Sequence, residues 1–185
     1  MSVWRALTFI GCLFFSSALL ADQGDLPFTD KDRCMQGPME QFGRYIGDWK
    51  IEDSQLARDG SGWAPGAGAR WIFTCFGDGV AVQDFWMPTG GSTGTNLRTY
   101  KPETGSWEIA WTVDKLPGFT HIRAKQDDAG NIVMDFVAPI PTPLRKITFM
   151  APDENGWKWK LELSNDEGAN WTEVYRITAT PYNND

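Results

Sequence analysis

The sequence predicts an all-β domain of about ten antiparallel strands, closed as an up-and-down barrel and preceded by one short N-terminal helix. Three observations carry this reading. The clearest lies at residues 156–177, where Trp157, Trp159, Leu161 and Leu163 alternate with Lys158, Lys160 and Glu162. A period of two puts alternate side chains on opposite faces of a strand, one dry and one wet. The polar segment 165–170 separates this run from a second one, Trp171 to Ile177, and its Asn, Asp and Gly tolerate the positive φ of turns, so the two runs form a hairpin. The second observation is recurrence: similar runs follow one another with turn residues at short intervals and almost no helical periodicity. The third is that short hairpin links leave little chain for the Greek-key crossovers of a sandwich, which favours closure of the sheet on itself.

Each element can be justified in turn. Residues 22–37 are polar and contain Pro and Gly, which predicts a loosely held arm. In residues 38–46, Met39, Phe42 and Ile46 recur at helical spacing, and Gly47 supplies a stop before Trp49 and Ile51 begin the first strand. Residues 58–62 form a turn and 66–68 an irregular piece. Residues 69–76 read as a strand with Trp71, Phe73 and Cys75 on one side; Gly77-Asp78-Gly79 turns it into the next, 80–87. The loop 88–94 is rich in glycine but precedes a strand and lacks the lysine of a phosphate loop, so it reads as a loop at a barrel mouth. Residues 95–101 and 106–114 flank Pro102-Glu103-Thr104-Gly105, a type I turn, and the second of these strands alternates Trp107, Ile109, Trp111 and Val113 with polar or small residues. A hairpin at 119–126 and 132–137 follows. Pro139, Pro141 and Pro143 then interrupt the sheet because each lacks a ladder donor, and 144–150 is the strand before the closing hairpin.

The N-terminus reads as an export signal: Arg5 is followed by an apolar run at 6–20 that is too short for a membrane span, with small residues for cleavage near Ala18 or Ala21. The expected organisation is a signal peptide at 1–21, an arm at 22–37, a barrel domain at 38–180 and a tail at 181–185. The expected location is secreted or periplasmic, with no membrane insertion after processing. Loss of Arg5 makes the mature chain one unit more negative than the formal −7. Such an acidic chain has no basic patch for nucleic acid. Cys34 and Cys75 survive processing. They form either a disulfide, which an oxidising compartment permits, or two buried thiols.

Gly47-Asp48-Trp49 resembles the Gly-x-Trp start of lipocalin-like (calycin) barrels. In those proteins the tryptophan closes one end of the barrel and a basic residue on a late strand packs across it; Arg176 is the matching candidate here. Residues 100–111, with Trp107 and Trp111, resemble the central hairpin of a family of uncharacterised bacterial lipocalin-like proteins. Residues 159–171 resemble that family's closing S-x-D-G-G-x-x-W hairpin, with Glu167 in place of the first Gly. The resemblance spans residues 42–177 and implies a fold. It implies no catalytic residues, because the family has no established activity.

The candidate chemistry is aromatic. Of ten tryptophans one, Trp4, lies in the export segment, and most of the others fall on strands. A barrel of this size either encloses one small ligand or is filled by side chains. The first reading makes Trp71, Trp86, Trp107, Trp111 and Trp159 the walls of a site for a small apolar or aromatic ligand, with Arg98, Tyr100 and Asp84 orienting it. Trp49 would then plug one end, and residues 90–94 and 116–118 would form the mouth. The second reading makes the protein an interaction module. An isomerase, cyclase or decarboxylase on the same barrel would need an acid or base, for which Asp84, Asp135, Glu173 and His121 are the candidates. The plainer reading of those carboxylates is contact with water or an arginine; Arg70 and Arg98 are the expected partners, or alternatively anchors for a ligand carboxylate. One histidine and no cysteine cluster exclude a multi-histidine metal site, and no motif points to a cofactor.

Overall fold

The structure, a computed structural model, describes residues 28–182. The signal-peptide reading and the first part of the arm lie outside the described residues. Twelve strands follow in order: β1 (Phe28–Thr29), β2 (Gly47–Leu56), β3 (Trp63–Pro65), β4 (Ala69–Phe76), β5 (Ala81–Pro88), β6 (Gly94–Lys101), β7 (Ser106–Val113), β8 (Leu116–Gln126), β9 (Ile132–Ala138), β10 (Leu144–Phe149), β11 (Trp157–Ser164) and β12 (Thr172–Pro181). From β4 to β12 each strand pairs antiparallel with the next, β12 pairs with β2, and β2 pairs back onto β4. Ten strands therefore close into an antiparallel up-and-down barrel. Closure removes the unpaired edges that an open sheet would expose.

The two short strands had no counterpart in the sequence pattern. β4 pairs with β2 over residues 69–73; β1 takes the remaining edge, with Phe28 opposite Phe76 and Thr29 opposite Cys75. β3 folds back on the upper end of β2, with Trp63 opposite Leu56. From Phe28 onward the predicted loose arm is thus tied to the barrel. A 3₁₀ turn at Lys31–Cys34 and a disulfide from Cys34 to Cys75 hold it there.

A second 3₁₀ turn at Gly37–Met39 leads into α1 (Glu40–Gly43), which closes the lower end. Gly43 is required by close approach, since a Cβ there would lie 1.9 Å from the Cys34 carbonyl oxygen. The tight contact sends Phe42 and Tyr45 into the barrel, both fully buried. Phe42 meets Trp107 edge-on at 4.9 Å between ring centres, and Tyr45 meets Trp157 and Phe149, each at 5.4 Å. Edge-on aromatic pairs contribute about 0.5–1.5 kcal/mol each beyond area burial, so this end of the barrel is the stable one. The Tyr45 hydroxyl donates to the Met150 carbonyl, and burial pushes its phenol up to about 12.

Trp49 joins this plug, packing edge-on against Trp157 at 5.8 Å and donating its indole N–H to the Tyr45 carbonyl. The expected partner Arg176 does not cross it. Arg176 alternates with the buried Ile177 and so lies on the outer face, where its guanidinium stacks 3.8 Å from the ring centre of Trp63 on β3. Trp171 also departs from expectation. It stops short of β12, donates to the Gly168 carbonyl of its own loop, and carries the Lys146 ammonium 3.8 Å over its ring. Glu167, where the resembling hairpins have glycine, adopts the left-handed φ of 57° that a glycine would take at lower cost.

Candidate ligand cavity

The upper half of the barrel is hollow. A cavity of about 680 Å³ lies between the aromatic plug and the loops at the other end, within the range of small-molecule sites. The geometry follows from strand polarity. On β4, Trp71 lies above Phe73 and Cys75, and only Trp71 reaches the cavity; on β7, Trp111 lies above Ile109 and Trp107. Trp71 and Trp86 sit opposite each other and meet edge-on at 4.9 Å. Gly94, opposite Trp86, makes room for Trp111: a Cβ on Gly94 would come within 2.1 Å of the indole. Trp159, Phe149 and Ile177 complete the floor, and Phe136, Leu161 and Tyr175 the far wall.

The rim is formed by Thr112, Val113, residues 116–120, Pro139 and Arg145. Leu116 and Phe119 on it are 68% and 73% exposed, so the mouth carries apolar side chains in water. The expected mouth at 116–118 is therefore where the cavity opens. The loop 88–93 does not contribute to the wall.

The eight residues singled out for ligand contact divide. Trp71, Trp86, Arg98, Trp111 and Trp159 line the cavity. Trp107 and Tyr100 lie below it, because they stand on the lower ends of β7 and β6. Trp107 is fully buried and donates its indole N–H to Gln41 Oε1 at 2.9 Å, and Tyr100 packs edge-on against it at 5.5 Å. Asp84 is sealed behind the wall. It is fully buried, pairs with the equally buried Arg98, and accepts from the backbone and side-chain amides of Asn96 at 3.0–3.1 Å. The Arg98 guanidinium carbon lies 4.9, 5.2 and 5.9 Å from the ring centres of Phe42, Phe73 and Phe149. Its Nε and Nη1 have no hydrogen-bond acceptor among the described residues. The pair, with Asn96, joins the plug to the cavity floor.

The other candidates for acid–base chemistry do not converge on the cavity. His121 lies on the outer face with Glu108, which also accepts from Arg123 Nε at 2.9 Å; the Arg123 hydrogen bond chiefly holds the Glu108 carboxyl below its usual range. Asp135 is exposed on the outside of β9. A bulge in the β11–β12 ladder sets Glu173 opposite Glu162, outside the barrel, 3.9 Å from Arg176. Arg70 pairs with Asp48 rather than with any of these carboxylates.

Several wall residues were missed. On β9 the row Val133, Asp135, Val137 is outward, and Ile132, Met134 and Phe136 face inward. Both rows are mostly apolar, so alternation alone does not orient the strand. Tyr175 was hidden by the bulge. Its hydroxyl donates to Asp53 Oδ2 at 2.7 Å, and burial raises its pKa well above the ordinary phenol value. Arg145 carried a usable signal, since it alternates with Ile147 and Phe149, and all three line the cavity.

No protein-family model matches the chain, and no curated protein matches it. Among solved structures, the S-type phycobiliprotein lyase CPES from Guillardia theta is similar: 11% identity, a TM-score of 0.55, and an alignment covering 86% of this chain and 100% of that one. At that identity the likeness shows the shared barrel fold.

Proposed function

We propose that this protein is an exported barrel that binds one small, largely apolar or aromatic molecule in the upper half of its interior. The observation that carries the reading is the cavity itself: about 680 Å³, walled by Trp71, Trp86, Trp111 and Trp159 and open at an apolar rim. A barrel serving only as a packed module has no use for such a void, since unfilled space forfeits dispersion contacts. The fold likeness to a phycobiliprotein lyase supports a small-molecule role for the interior. Binding is favoured over catalysis because His121, Asp135 and Glu173 face away from the cavity and Asp84 is sealed by Arg98.

An apolar dye that quenches tryptophan emission tests the reading. Saturable one-to-one binding, weakened by Trp111→Ala, is expected; absence of binding across a broad panel of apolar and aromatic dyes would refute it. Export rests on Arg5 and the apolar run at 6–20, and mass measurement of the native protein should find that segment missing.

A further inference from the structure

We infer that the ligand is an organic acid whose apolar body fills the cavity and whose carboxylate sits at the mouth against Arg145; this rests on the ligand-binding reading above. The argument starts from charge. The chain carries 24 acidic residues against 17 Lys and Arg, yet among the described residues the charged side chains in the cavity wall are two arginines and no acid. Arg98 at the floor is neutralised by Asp84. Arg145 has no carboxylate within ion-pair distance among the described residues, so the cavity keeps one uncompensated positive charge.

Its placement is specific. Along β10 the residues facing the cavity are Arg145, Ile147 and Phe149, running from the rim to the floor. The cation therefore stands at the water-facing end of an apolar wall, opposite Leu163 of β11. A guanidinium there keeps its hydration until a ligand arrives and then offers a planar fork that matches a carboxylate. Asp53, an inward-facing acid on β2, is engaged by the Tyr175 hydroxyl and the Gly68 amide and does not line the cavity. The buried atoms of wall residues that lack a hydrogen-bond partner, Trp71 Nε1 and two nitrogens of Arg98, are also donors. The interior thus presents positive charge and donors, which suit a ligand rich in acceptors. The aromatic walls set the body of that ligand as flat or apolar, and the distance of Arg145 from the floor sets its acid at the outer end.

The test compares a matched pair of probes, 9-anthracenecarboxylic acid and the neutral 9-anthracenemethanol, by energy transfer from tryptophan. The acid is expected to bind about tenfold tighter, the scale of one charge-assisted hydrogen-bonded contact at a partly wet site. Arg145→Gln should abolish that preference and leave the alcohol unchanged, whose retained binding also reports an intact barrel. Lys146→Gln, one residue away on the outer face, removes the same charge and should leave the preference intact. Added salt should weaken the acid and not the alcohol with the unmutated protein. Equal affinity for the two probes, or a preference that survives Arg145→Gln, overturns the acid inference and leaves the cavity reading standing. Failure of both probes to bind overturns both.

Discussion

Replacing Asp84 by alanine should be among the most damaging single changes in the barrel. Asp84 and Arg98 are both fully shielded from solvent. The substitution would leave the Arg98 cation without its counter-charge and would strand the Asn96 backbone and side-chain amides that Asp84 now accepts at 3.0–3.1 Å. Breaking a buried pair by removing one partner costs about 3–5 kcal/mol, because the remaining charge is buried alone. Against a typical total of about 5–15 kcal/mol this is a large fraction, and at its lower bound the folding constant falls by more than about a hundredfold. Guanidinium chloride unfolding, followed by circular dichroism, measures it as a drop in midpoint at constant slope. The decisive arm is the double variant Asp84→Ala with Arg98→Met, which removes the stranded charge. It should lose less than Asp84→Ala alone, since a well-packed apolar replacement of a buried pair is often neutral. If Asp84→Ala fails to fold, the double variant should still fold. A cost below about 1 kcal/mol for the single change, or a double variant as damaged as the two singles combined, would show that the pair is not an isolated buried unit.

Three other outcomes follow from the same structure. Replacing Cys34 and Cys75 together by serine reopens a loop of 41 residues and should cost about 4 kcal/mol by chain entropy, read as a lower denaturation midpoint; an unchanged midpoint would mean the arm adds no constraint. Gly94→Ala drives a methyl into the Trp111 ring, so it should cost about 1–3 kcal/mol and weaken dye binding as Trp111→Ala does; unaltered affinity would argue that Trp111 does not shape the site. Because Tyr45 is raised from 10.0 to about 12, it stays protonated in the folded state while the unfolded chain ionises. Its contribution is fully present below pH 10 and is lost as pH rises to 12; stability measured across that window should fall, and Tyr45→Phe should flatten the fall.

What the sequence determined by itself was local. Alternation in residues 157–164 and 106–113 is a property of the chain's own pleat, and turn residues such as Gly77-Asp78-Gly79 act within a few bonds, so strands and hairpins were legible in order. Consecutive hairpins then constrained the topology. The tertiary structure decided what depends on height and on contact between distant residues. The pairing of β2 with β4 closes the ring, and only closure distinguishes inside from outside for a strand such as β9, whose two faces are almost equally apolar. Alternation places Trp107 and Trp111 on one face but carries no vertical coordinate. The plug formed by Phe42 and Tyr45 makes the first of them core and the second cavity wall. Asp84 looked like a ligand anchor because burial of a lone carboxylate is costly. Arg98, an expected partner from the sequence and adjacent to Asp84 across the β5–β6 ladder, removes that cost; what the tertiary structure decided is that plug and closed barrel bury both groups completely.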